Sequence, residues 1–252
     1  MPLMDEFKEE REALKHGTLK QKLTYFADYY KWHAIIAVIV LYVIISFVVN
    51  SLTRKETALY VCMVNTLASG QEDYITDFAE FAGIDLDSQE LIFDTSISIQ
   101  TDVPNQVSMA SSQKLLAYIA AGELDVMITD AETITIYTNN ELFYDLREFL
   151  TPEQIELYEP YFYYIDRKAV QEWREAMDSF DDSFVPSYPD PRKPDEMEQP
   201  VPVGLCLNES KGFKDNFLFL NEDVVLAVVQ NTKKSETVQQ LIDYVMAETG
   251  SE

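Results

Sequence analysis

Apolar positions are spread very unevenly along this chain. From Ala34 to Val49 it reads AIIAVIVLYVIISFVV, sixteen positions without a charge. Extended to Trp32 and Leu52 the span reaches 21 residues, and a helix of that length rises about 30 Å, enough to cross a bilayer core. Val, Ile and Leu cover every face of it, which argues against burial in a soluble core. Thirty-one residues precede Trp32, and the exit FVVNSLTRKET has no small-x-small site. Both features predict an uncleaved single-pass anchor rather than a signal peptide.

The pattern on either side differs. MDEFKEEREALK (4–15) is charged and helix-prone and ends at Gly17. Thr18 then pairs with Gln21 as a capping box, and Leu19, Leu23, Phe26 and Tyr30 share one helical face. Two readings follow: an amphipathic helix along the inner leaflet, or one helix continuous with the span. Three regions result: a helical segment 1–31, a transmembrane helix 32–52 that contacts the lipid bilayer, and an α/β domain 53–252.

In that domain the period alternates between 2 and 3.6. TALYVCMVN (57–65) predicts a buried strand. Ser69 and Glu72 form a capping box before Ile75, Phe78, Ala79 and Ala82 at helical spacing, and Gly83 ends that helix. ELIFDTSISI (90–99) predicts a second strand. Pro104 opens a helix carrying Leu115, Leu116 and Ile119, closed by Gly122, and DVMIT (125–129) predicts a third strand. Near the end, DVVLAVV (223–229) predicts another strand, and Ser235 starts a helix with Val238, Leu241, Ile242 and Val245 inward. Short turns between nearly all-apolar strands predict a parallel or mixed sheet covered on both faces by helices. Between these stretches, 140–150 and 151–158 read as short helical pieces. The run 158–165 is dense in aromatics, and 186–202 holds six of the ten prolines and reads as an irregular connection.

Charge adds topology. Lys15, Lys20, Lys22 and Lys31 precede the span, and only Arg54 and Lys55 follow it closely, which predicts a cytoplasmic N-terminus and an extracytoplasmic domain in the cell membrane. Of 44 acidic residues, 38 lie in 56–252 beside eleven basic ones, a net charge of −27. Such a surface excludes nucleic acid as a partner. His16 and His33 are the two histidines, so residues 56–252 lack Ser-His-Asp catalysis, Cys-His catalysis and His-ligated zinc. Cys62 and Cys206 sit in apolar runs and read as buried free thiols, with a disulfide between them as the alternative. Asp85, Asp87 and Glu90, and Asp178, Asp181 and Asp182, are acidic groupings without the order of a calcium loop. No metal and no cofactor is expected.

Open parallel sheets bind ligands at the carboxyl ends of their strands. That edge places Asn65, Thr66, Ser69, Thr95, Ser96 and Asp130 together as candidate ligand-binding residues. The competing reading makes Ser69 and Asp130 helix caps only. Tyr158, Tyr161, Phe162, Tyr163 and Tyr164 are either a partner surface or one buried edge of the domain.

Three stretches carry a resemblance: AAGELDVMITDAETITIYTNNELFYDLREFLTPEQIELYE (120–159), GLCLNESKGFKDN (204–216) and DVVLAVVQNTKKSETVQQLIDYVM (223–246). Together they resemble type II periplasmic binding proteins, the extracellular solute-binding components of ABC importers, and in particular small anchored relatives in Gram-positive bacteria. The resemblance implies two α/β lobes around a cleft. The interval from about 165 to 200 is too short for a second βαβ lobe, so the expectation is one lobe with the second reduced. The expected function is non-enzymatic: binding a protein partner as an accessory subunit of a membrane complex, with capture of a small solute for an importer as the alternative.

Overall fold

The computed structural model describes residues 18–53, 55–68, 71–100, 105–138, 141–179, 184–185, 187–219 and 223–247. The chain divides into two units, Met1–Arg54 and Lys55–Glu252. In the first, helix α1 runs without a break over Leu19–Thr53. The continuous reading of 18–53 therefore describes this stretch, and no helix boundary falls near residue 31. Its segment Trp32–Val49 has a mean hydropathy of 2.6 and no buried residue, and is compatible with a membrane anchor and with a signal sequence. The charged stretch 4–15 lies outside the described residues.

The second unit is α/β. Its elements are β1 (Glu56–Met63), β2 (Thr66–Ala68), α2 (Gln71–Ala82), β3 (Gln89–Asp94), α3 (Gln106–Ala121), β4 (Val126–Asp130), α4 (Ala131–Thr138), α5 (Leu146–Phe149) and α6 (Pro152–Tyr158). There follow β5 (Phe162–Asp166), α7 (Arg167–Asp178), β6 (Pro200–Cys206), α8 (Lys211–Asn216), β7 (Phe217–Phe219), β8 (Val224–Val228) and α9 (Ser235–Ala247). Six strands form one mixed sheet in the order β3-β1-β4-β8-β6-β5, and β2 pairs with β7 in a separate antiparallel ribbon. The β3, β1 and β4 strands are parallel; β8, β6 and β5 each run antiparallel to the preceding neighbour.

Alternation along the strands feeds two cores. Leu59, Val61, Met63, Ile128, Leu226 and Val228 point to one face, against Phe78 of α2 and Leu241 and Val245 of α9. Tyr60, Cys62, Met127, Val225 and Ala227 point to the other, against Leu115 and Ile119 of α3 and Ile134 of α4. Burial on both faces explains why these strands are apolar at nearly every position. Gly83 and Gly122 end α2 and α3 with φ of +68° each, the left-handed conformation that favours glycine. Asn105 caps α3 by accepting the Ser108 N–H at 2.9 Å, while Pro104 and Ser69 lie outside the described residues.

The β3 strand stops earlier than the alternation predicts. Asp94 turns its carboxylate onto the Ser96 N–H at 2.8 Å, a local bond that competes with ladder pairing. Residues 95–100 then follow an irregular path beside Asn65. The interval 162–206 also departs from expectation. It supplies β5, α7 and β6, and both strands join the same sheet rather than forming part of a second lobe. The strand β6 carries two prolines. Pro200 and Pro202 offer no N–H, and β6 pairs with β8 only at Leu205 and Cys206. In place of β6, the segment 142–144 pairs with the far end of β8: Tyr144 N–H donates to the Val228 carbonyl at 3.0 Å and Gln230 N–H to that of Leu142 at 2.9 Å. Val203 is an extra residue between the pairs Tyr164–Pro202 and Tyr163–Gly204, and β6 returns to β8 at Gly204. A methyl there would stand 2.5 Å from Val225 Cγ1 and 2.8 Å from the Leu226 oxygen, so only glycine permits the approach.

Candidate functional site

The carboxyl edge of the parallel strands brings Asn65, whose φ is +61°, together with Thr66 and Asp130 of the six candidate ligand-binding residues. Asn65 Nδ2 donates to Asp130 Oδ2 at 3.1 Å, and its Oδ1 accepts the Ile99 N–H at 2.8 Å. Asp130 is buried. Its carboxylate accepts from Thr133 N–H at 2.9 Å and Thr133 Oγ1 at 3.1 Å, which makes it the cap of α4. Thr66 is buried and donates to the Val64 carbonyl at 3.3 Å. Thr95 is half-buried. Ser69 lies outside the described residues.

Ser96 belongs to a second cluster on the same edge. Lys114 of α3 reaches Asp94 at 3.0 Å and Ser96 Oγ at 2.9 Å, and Tyr60 donates its hydroxyl to Asp94 at 3.0 Å. Burial works to raise the Asp94 pKa, but the bonds from Ser96, Lys114 and Tyr60 outweigh it and bring it to about 2. Burial and the neighbouring Asp94 push the Tyr60 hydroxyl up. Burial also drives the Cys62 thiol up to about 12, so it stays protonated and inert at neutral pH. Cys206 is half-buried, and both cysteines are free. The polar groups of this edge are thus bonded largely to one another, and the cap reading of Asp130 accounts for its contacts.

The aromatic run does not form a continuous surface. Tyr158, Phe162 and Tyr163 are buried. Tyr158 donates to Asp243 at 2.7 Å, and Tyr163 donates to the Ala131 carbonyl at 3.3 Å. For these three rings the buried-edge reading describes the structure: strand pairing in β5 turns Phe162 and Tyr163 into opposite cores. Tyr161 and Tyr164 remain half-buried. Tyr161 lines a small cavity of about 250 Å³ with Arg192 and Cys206.

A larger cavity, about 450 Å³, lies where β6 parts from β8. Its floor is apolar: Phe143, Ile165, Val170, Val201 and Val203. One wall is α7, which presents Arg167, Gln171 and Arg174 at intervals of four and three residues. The opposite rim carries Glu141, Asp145 and Glu148. Arg174 pairs with Glu141 at 2.7 Å, and Arg147 pairs with Asp145 at 2.6 Å and reaches the Pro200 carbonyl at 3.4 Å. Sequence reasoning did not single out these residues. The available signal was two arginines seven apart in a domain with only eleven basic residues.

Beside the carboxyl edge, the ribbon places Leu67 directly opposite Leu218. The two are 60% and 59% exposed. Asp85 caps a turn through Asp87 N–H and Ser88 Oγ at 3.0 and 2.8 Å, and among the described residues no three His, Cys, Asp or Glu side chains gather in a metal-ligand group. Asp181 and Asp182 lie outside the described residues. Comparison with family models, with curated proteins and with solved structures gives no match to this chain.

Proposed function

We propose that this chain is a membrane-tethered, non-enzymatic binding module, with α1 as its anchor, a cytoplasmic N-terminus and the α/β domain on the extracytoplasmic side. In this reading the domain is a reduced relative of solute-binding proteins and serves as an accessory subunit to a protein partner in the membrane complex. The observation that carries it is the Leu67–Leu218 pair, apolar and more than half exposed beside an edge whose polar groups are bonded to one another. Contiguous apolar surface rimmed by polar residues marks interaction sites, and the ribbon sets these two leucines side by side. The absence of histidine from 56–252 and the protonated, buried Cys62 favour binding over catalysis.

The test places a photo-crosslinking residue at position 218 of the full-length chain in native membranes. A discrete crosslinked protein, lost in Leu67→Ser, is expected. Crosslinks to lipid or to nothing would count against the partner. Protease treatment of intact cells should remove a C-terminal tag and spare an N-terminal one; the reverse pattern would sink the topology. A second reading, a tethered receptor for a small solute, is favoured by the cavity of about 450 Å³ under α7.

A further inference from the structure

The cavity beneath α7 exists because the sheet is split. Pro200 and Pro202 cannot donate toward β8, the segment 142–144 takes their place on it, and the space between them stays unfilled. At about 450 Å³ it falls within the range of small-molecule sites, roughly 300–1,000 Å³. Its chemistry is sharply divided. The floor offers mainly hydrocarbon from Phe143, Ile165, Val170, Val201 and Val203, with Thr138 and Gln230 beside it, and the rim carries charges of both signs.

Two pairs on that rim are already satisfied, Arg174 with Glu141 and Arg147 with Asp145. Arg167 and Glu148 remain, and neither makes an ion pair among the described residues. A simple anion would meet three carboxylates on the rim and a domain of net charge −27. A simple cation would meet two guanidinium groups. A molecule with both signs at one end and hydrocarbon at the other satisfies all three surfaces.

We propose that this cavity binds a free α-amino acid with an apolar side chain, its carboxylate on Arg167, its ammonium on Glu148 and its side chain on the floor of Phe143, Val201 and Val203. This deepens the receptor reading and commits it to one ligand class. Arg167 is suited to the carboxylate because its planar fork makes two parallel hydrogen bonds.

The experiment uses the full-length protein in detergent micelles. Thermal melting and calorimetry are run with the common L-amino acids, N-acetyl-leucine, leucine methyl ester, glucose and acetate. A rise in melting temperature is expected with leucine, isoleucine, valine, methionine or phenylalanine, and a much smaller one with either capped leucine derivative. Arg167→Gln and Glu148→Gln each weaken binding about tenfold or more while leaving the unliganded melting temperature unchanged, since both side chains stand at the exposed rim. Val203→Ala, which enlarges the floor, shifts the preference toward larger side chains. The proposal is overturned if no amino acid at about 10 mM raises the melting temperature, if the capped derivatives bind as tightly as leucine, or if Arg167→Gln binds undiminished. Binding of glucose or acetate in place of amino acids overturns the ligand class while leaving the receptor reading intact.

Discussion

The two halves of the sheet obey different rules. In the β3-β1-β4 half the strands are parallel, the helices that cross between them end in left-handed glycines, and the polar edge groups bond to one another. In the β8-β6-β5 half the strands are antiparallel, two prolines interrupt the ladder, and a segment from elsewhere fills the gap on one side. The first half resolves its conflicts by closing on itself. The second leaves a cavity with charged groups on its rim. Where backbone pairing is broken, the chain has space to hold a ligand.

The comparison can be broken most severely in the first half. Phe78 is fully buried, with its ring centroid 5.5 Å from that of Tyr244 and 6.4 Å from that of Phe93. Phe78→Ala should cost about 3–5 kcal/mol and lower the midpoint of chemical denaturation for the whole domain at once. A local loss confined to α2 would refute a single cooperative unit. The second half is sharpened by Gly204→Ala, whose new methyl would meet Val225 and the Leu226 backbone. A cost of about 1–3 kcal/mol is expected, with faster amide exchange in β6 and β5 and slower, unaltered exchange in β1 and β4. Equal acceleration in both halves would remove the distinction.

The smallest effect concerns acid. The Asp94 pKa is lowered in the folded domain, so its contribution is present above the unfolded value of about 3.9 and is lost as pH falls toward about 2. Discounted for solvent screening, the loss is about 1 kcal/mol. Melting temperature against pH should therefore bend over that window, and the bend attributable to this site should vanish in Asp94→Asn. An unchanged profile in the variant would show that the ionised Asp94 carboxylate, with its bonds from Ser96, Lys114 and Tyr60, adds nothing to stability.

The parallel half was legible because its signals were local and consistent. Apolar runs, glycine stops and short turns all predicted the same elements, and β1, α2, α3 and β4 lie within a few residues of the sequence expectation, as do β8, the first strand of the other half, and α9. The rest of the antiparallel half was not. The helix α7 reads RKAVQEWREAMD, in which Ala169, Val170, Trp173, Ala176 and Met177 recur at helical spacing, a signal that was present in the sequence and passed over; Val170 and Ala176 are its buried positions. The proline-dense stretch before Gly204 read as irregular, since proline argues against a central strand. Yet β6 accommodates Pro200 and Pro202 by pairing on one side only along that stretch. The site residues divide the same way: Asp130 was visible as a cap or a ligand, whereas Arg167 and Glu148 become neighbours of one cavity only through the break in the sheet.

The strand that leads into α7 is one of the two edge strands of the sheet, and this bears on how the molecule can change over generations. Its outer edge is met by the proline-rich segment, with Tyr164 N–H on the Pro191 carbonyl at 2.9 Å, rather than by another strand. Replacements on α7 and along β5 can therefore recast the lining of the cavity while β4 and β1, three and four strands inward, keep their partners. Novelty is easiest to acquire at such a margin, where a lineage can try new occupants without first endangering the fold that carries them.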